Sequence, residues 1–303
     1  MDRTQQGSQS IISSIRFSIF RALIYIVSFI PFKLGMYLGA AIGVLTFFVA
    51  SRRRAVTRAN IRICFKFKTQ LQRARIVRES FIEIGRGFIE TAWAWHAPQE
   101  FFTKRTIILG ADLIEKAKAE GRGILLIGPH YTFLDAIAPC IHPVTGPITI
   151  TYRPPRNRQL NELIIERRSR YGESLNVRST RKIVSKLKQQ AVLWYSPDQD
   201  MGRRGCVFAP FFGRLASTTT SVARLCRLTD AKPIFVSMHR DSTTYIVNFI
   251  EFPSTYPEFD EENNARTLNA IIEKTIINRP EQYMWIHKRF KTSPDGSRQT
   301  PYQ

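Results

Sequence analysis

The sequence predicts an α/β protein: a single mixed-sheet domain with flanking helices over residues 51–303, preceded by an N-terminal transmembrane or interfacial helical segment over residues 1–50. Three observations lead there. Residues 11–50 are the most apolar part of the chain. Beyond residue 120, short apolar runs alternate with stretches of helical periodicity, the pattern of strands and helices layered on one sheet. No internal repeat or low-complexity linker divides the remainder.

Taken in order, the first apolar block covers residues 11–32 and is interrupted by Arg16 and Arg21. A spanning helix needs roughly 20 such residues, so this block is just long enough if Arg16 snorkels to the interface. The second block, residues 34–50, is short for a span and rich in Gly and Ala; it reads as an interfacial helix or one packed on the domain. Arg52, Arg53 and Arg54 close it, a cluster that favours the cytoplasmic side and anionic headgroups. A cleaved signal peptide is the alternative, but no small-x-small cleavage site follows the first block. Over 70–96, Val77, Phe81, Ile84, Phe88 and Trp95 recur at helical spacing and predict one buried stripe. Strands are predicted at 123–128, 147–152, 191–196, 232–238 and 244–250, with helices after Ser179, near 217–228 and over 262–278. The STTTS run at 217–221 reads as a hydroxyl-rich helix start or as the lining of a polar channel.

Composition narrows the partners. The 45 Lys and Arg against 24 Asp and Glu give a net charge of +21, one-sided enough to imply nucleic acid, an anionic membrane surface or acidic substrates. No helix-turn-helix, zinc-finger or aromatic RNA-binding pattern accompanies the charge, which argues against nucleic acid. Cys64, Cys140, Cys206 and Cys226 are widely spaced and form no C-x-x-C or Cys/His cluster, so they read as reduced thiols, with no metal site and no cofactor.

Chemistry is suggested by GPHYTFLDA at 128–136, directly after a strand, where sites collect in open α/β sheets. His130 is then placed as a catalytic residue and Asp135 as its carboxylate partner. On a regular helix the five-residue offset turns about 140°, so the two meet only with His130 in the loop and Asp135 in the first helical turns. In that arrangement the carboxylate steadies one ring nitrogen and the other takes a proton from an attacking hydroxyl. The alternative is a loop histidine and a helix-start carboxylate. Two further polar loops follow strands. Arg153 could bind phosphate, stabilise an oxyanion or sit on the surface. Asp198 and Asp200 could bind sugar hydroxyls, position the basic site or cap a turn. His96, His142, His239 and His287 lack a partner at useful spacing and receive no role.

Longer motifs add a resemblance. LWYSPDQDMGRRGCVFAPFFG at 193–213, ASTTTSVARL at 216–225 and PEQYMWIHKRFKT at 280–292, together with the His-x4-Asp segment and the N-terminal anchor, resemble the late acyltransferases of lipid A biosynthesis, within the lysophospholipid acyltransferase superfamily. The resemblance covers nearly the whole chain. It implies an O-acyltransferase that takes a fatty acyl chain from acyl carrier protein and places it on a hydroxyl of a Kdo-bearing lipid A precursor. It assigns catalysis to His130 and Asp135, although many members have Glu at the second position, and substrate binding to Arg153, Asp198 and Asp200. It also implies a single pass of the bacterial inner membrane, with the catalytic domain facing the cytoplasm. Acylation of another lipid, such as a lysophospholipid or a glycolipid, is the alternative with the same dyad.

Overall fold

The glycine spacing of the second apolar block decides how the N-terminus meets the rest of the chain. The computed structural model describes residues 3–297, 301 and 302, with side chains from Ile15 onward, so the side chains of residues 11–14 in the first apolar block lie outside the described residues. Helix α1 (Arg3–Val27) leads into α2 (Phe32–Val49), followed by α3 (Ser51–Cys64) and α4 (Gln70–His96). Gly35, Gly39 and Gly43 recur every fourth residue on the face of α2 that meets α4. The backbones approach so closely that a Cβ on Gly85 would stand 2.2 Å from the Gly39 carbonyl oxygen, and one on Gly43 would stand 2.4 Å from the Phe81 oxygen. Small residues in register permit this contact.

Among the described residues, α2 is the helix long and apolar enough to cross a membrane by length and composition. The expected span was the first block. There, Phe17, Ile24 and Val27 of α1 pack on the core, and Arg21 stands 3.7 Å from Glu166. The outer faces of both helices remain apolar, with Ile19, Leu23 and Ile26 of α1 and Tyr37, Leu45 and Phe48 of α2 exposed.

Helix α4 starts at a capping box in which Thr69 and Gln72 exchange hydrogen bonds. The predicted single stripe needs correction: Phe88 is 58% exposed, whereas Glu83, Gly85, Gly87 and Glu90 are buried. The helix is wedged between α2 on one side and the sheet and the 131–136 segment on the other, so more than one face is covered. Inside, the Arg240 guanidinium is held by Glu83 and by Glu90 at 2.9 Å, and the Tyr245 hydroxyl donates to Glu90 at 2.7 Å.

The rest runs α5 (Gln99–Thr103), β1 (Thr106–Leu109), α6 (Asp112–Ala119), β2 (Ile124–Ile127), α7 (Ile137–Thr145), β3 (Ile148–Tyr152), α8 (Arg158–Arg168), β4 (Ser174–Asn176), α9 (Thr180–Lys188) and β5 (Val192–Tyr195). It continues with β6 (Cys206–Phe211), β7 (Arg214–Thr219), α10 (Ser221–Thr229), β8 (Lys232–Asp241), β9 (Thr244–Glu251) and α11 (Glu261–Asn278). Seven strands form one sheet in the order β1-β9-β8-β2-β5-β3-β4, parallel except for the β8–β9 hairpin. The expected mixed α/β sheet with flanking helices is what forms. Along β2, Ile124 and Leu126 enter the core cluster that contains Trp93, Phe102 and Ile137, while Leu125 and Ile127 enter the opposite cluster with Ile183, Val222 and Leu268. Both faces of the central strand are therefore buried, as its unbroken apolar run requires.

The helix predicted near 217–228 is shorter than expected. Residues 214–219 are a strand, paired antiparallel with β6, and α10 starts only at Ser221. Phe212 and Gly213, with φ of 49° and 72°, supply the left-handed turn that a tight hairpin needs, and the β-branched Thr218 and Thr219 suit the pleat. Ser179 occupies its predicted cap position but accepts no side-chain cap hydrogen bond. Replacing Gly85 by Val is expected to force α2 away from α4 and to destabilise the protein by roughly 1–3 kcal/mol, the usual cost of overpacking. A lowered midpoint of thermal unfolding in detergent checks this; an unchanged midpoint contradicts the close seam.

Candidate active site

Strand pairing brings distant residues to one level. In the parallel β2–β5 ladder Ile127 lies opposite Tyr195. Three residues beyond each partner, off neighbouring strand ends, stand His130 and Asp198. The His130 ring Nδ1 is 2.6 Å from Asp198 Oδ1, and the His130 backbone N–H donates to Asp198 Oδ2 at 3.0 Å. The histidine loop is fixed from its other side as well, because the Met284 N–H donates to the His130 carbonyl at 3.0 Å. Asp198 is 2% exposed. Burial pushes its carboxyl up, but the His130 imidazole and the hydrogen bonds it receives outweigh burial and hold it down at about 2. The carboxylate is thus ionised at neutral pH and accepts from Nδ1–H, which leaves the His130 Nε2 lone pair for another proton.

The expected partner of His130 was Asp135, and this needs correction. Asp135 lies in the 3-10 turn Leu134–Ala136, and its Oδ1 is 2.8 Å from both Nε and the terminal NH2 of Arg168. The physical reason is direction: the turn aims Asp135 toward the end of α8, while the neighbouring strand delivers Asp198 to the imidazole. His130, Asp135 and Arg153 all line one cavity. Asp200 does not line it. Its carboxylate instead accepts from the Thr292 N–H and hydroxyl, both at 2.7 Å, and from the Gly202 N–H at 2.9 Å, tying the 196–205 loop to the C-terminal segment.

The cavity has a volume of about 360 Å³. Its lining carries the polar side chains of His130, Arg153 and Gln199, and its wall along α7 and β3 is apolar, with Ile137, Ile141, Ile148 and Ile150. Arg153 is exposed and has no carboxylate partner among the described residues. Of the hydroxyl run, Thr219 reaches the lining, so neither the cap nor the channel expectation describes the whole run. The described residues contain no cluster of side chains suited to a metal ion, and the four cysteines are free.

Sequence reasoning missed His287. Its ring centroid is 6.0 Å from that of His130, and its Nε2 lies 3.0 Å from the Gln199 amide nitrogen. Burial and the nearby His130 push its pKa down to about 4, so it is neutral at neutral pH. Some 157 residues separate it from His130, so no local spacing links them; the C-terminal motif was the available signal. Replacing Asp200 by Ala should cost roughly 1.5–3 kcal/mol of stability, the range for hydrogen bonds to a charged group, and leave the Michaelis constant for the acyl donor unchanged. Thermal unfolding and steady-state kinetics measure both; a raised Michaelis constant with unaltered stability would return Asp200 to a substrate-binding role.

Comparisons with known proteins agree with one another. Residues 5–292 match the family described as bacterial lipid A biosynthesis acyltransferase. The lipid A biosynthesis palmitoleoyltransferase of Escherichia coli K12 is 35% identical over 88% of this chain and 88% of its own length. The lauroyltransferase of the same organism is 32% identical, with 90% of each chain covered. The myristoyltransferase is 26% identical, covering 84% of this chain and 79% of its own.

Proposed function

Because the chain belongs to the bacterial lipid A biosynthesis acyltransferase family, and is an O-acyltransferase of that pathway, we propose that it moves a fatty acyl chain from acyl carrier protein to a hydroxyl of a Kdo-bearing lipid A precursor, with His130 as general base. The observation that supports the chemistry best is the His130–Asp198 pair, whose imidazole lines a cavity with an apolar wall along α7 and β3. His130 Nε2 takes the proton of the acceptor hydroxyl, the 3-hydroxyl of an acyl chain already attached. The oxygen attacks the thioester carbonyl, the tetrahedral intermediate expels the carrier thiolate, and the imidazolium returns its proton to that sulfur. Asp198 holds the ring in the tautomer this requires and stabilises its cationic form. Asp135 acts at one remove, fixing Arg168 beside the cavity, and Arg153 attracts the anionic groups of the substrates.

The same reading places the protein on the inner membrane, with its catalytic domain on the cytoplasmic side. The exposed apolar faces of α1 and α2 supply the hydrophobic contact, and Arg52, Arg53 and Arg54 at the start of α3 meet anionic headgroups. The net charge of +21 suits acceptors that carry phosphates and carboxylates and an acidic carrier protein.

Replacing His130 by Ala should lower transfer by roughly 100-fold or more, the usual worth of a positioned base. Asp198→Asn should lower it by roughly 100- to 10,000-fold, because the amide favours the wrong ring tautomer, as it does beside the histidine of a Ser-His-Asp triad. Transfer of labelled acyl groups from acyl carrier protein to the lipid A precursor by the purified full-length protein measures both. Turnover near the wild-type value in the first variant removes the proposed base, and in the second the proposed orienter.

A further inference from the structure

The relatives named above differ in the acyl chain that their names carry, so family membership does not set the chain this protein transfers. The shape of the cavity bears on it. Strands β2, β5 and β3 run in register, with Ile124 and Ile148 both opposite Val192. Counting along these ladders, His130 lies at about the level of Arg153, and Ile148 marks the other end of β3. The cavity is lined at both levels.

At the Ile148 level its lining includes Tyr171. The Ile148 N–H donates to the Tyr171 carbonyl at 2.8 Å, which fixes Tyr171 across the end of the strand. The Tyr171 hydroxyl donates to the Ala94 carbonyl at 3.2 Å, and Arg170 donates to the Trp95 and Ala97 carbonyls at 3.0 and 2.8 Å. The last turn of α4 is thereby stitched to the segment before β4, and Ala94, Trp95 and Tyr171 form a buried wall of the cavity.

We propose that this wall is the floor of the acyl-chain site, that Ala94 and Tyr171 determine the length of the chain, and that the site fits about 12 carbons. The inference rests on the acyl-transfer reading above. The figure comes from the strand. Five residue steps of ~3.3 Å separate the level of Ile148 from that of Arg153, about 16 Å in all. With C–C bonds of ~1.5 Å an extended chain advances about 1.3 Å per carbon. A longer chain meets the stitched floor, and a shorter one leaves apolar wall uncovered. Each methylene gained or lost from such burial changes transfer by roughly fourfold.

The test is competition among acyl carrier protein thioesters with saturated chains of about 8 to 18 carbons, offered together to the full-length protein with a lipid A precursor, the product masses giving the chain profile. The wild type should peak near 12 carbons. Ala94→Leu raises the floor and should shift the peak down by about two carbons, with transfer of the original chain falling roughly 16-fold while shorter chains are retained. Tyr171→Ala should shift the peak upward, and Tyr171→Phe, which keeps the ring, should leave it in place. Should Ala94→Leu lose all transfer, Ala94→Val decides by its own profile. An unchanged profile in active Ala94 and Tyr171→Ala variants overturns the assignment of the floor. A wild-type peak well away from 12 carbons overturns the length. No transfer of any chain by the wild type overturns the acyl-transfer reading itself.

Discussion

The β2–β5 register is the constraint on which the site depends. Backbone hydrogen bonding between two short, fully buried strands sets the level at which each chain leaves the sheet. A shift by one residue would turn every side chain of a strand to the opposite face, exchanging Leu126 and Trp194 for Ile127 and Tyr195 in the cluster that contains Trp93 and Ile137. The imidazole and the carboxylate beyond the strand ends would then part. The packing of two hydrophobic clusters on the sheet therefore also positions the chemistry, and the buried polar contact between His130 and Asp198 needs no scaffold of its own.

The C-terminal motif has a part in this that its position in the chain conceals. Arg289 is 2% exposed and donates to the Ser217 carbonyl at 2.6 Å, to the Thr218 hydroxyl at 3.1 Å and to the Asn269 side chain at 3.3 Å, joining β7 to α11. Gln282 bonds both backbone groups of Arg240, at 2.8 Å each. Asn60 of α3 donates to the Trp285 and His287 carbonyls at 2.7 Å each. One segment thus closes over the sheet, the buried arginine of β8 and the helix that carries the basic cluster, and on its way it delivers His287 to the side of His130.

Much of the fold was legible in the sequence because the central strands are uninterrupted apolar runs bounded by turn residues, and α4 and α11 are long enough for their periodicity to stand out. β1, β4 and the β6–β7 hairpin were not foreseen. β1 and β4 are short edge strands with mixed burial, and the threonines of β7 suit a cap as readily as a strand. At the site, the residue types and their places at strand ends could be read, but the partnership could not. The short His-x4-Asp spacing drew attention to Asp135, whereas the contact that forms crosses 68 positions and follows from strand order. Arg168, which claims Asp135, stands at the end of a helix without any motif of its own.

The Arg21–Glu166 contact joins α1 to a helix that lines the cavity. Glu166 belongs to α8, and the next two residues, Arg167 and Arg168, face the cavity. The apolar helix α1 and the cavity lining are therefore joined through one short helix, α8. A chain of ten methylenes drawn wholly into water would cost about 8 kcal/mol. On the acyl-transfer function proposed above, an acceptor whose headgroup reaches α8 while its tails lie against the apolar face of α1 keeps those methylenes out of water, and the cost of exposing them does not arise.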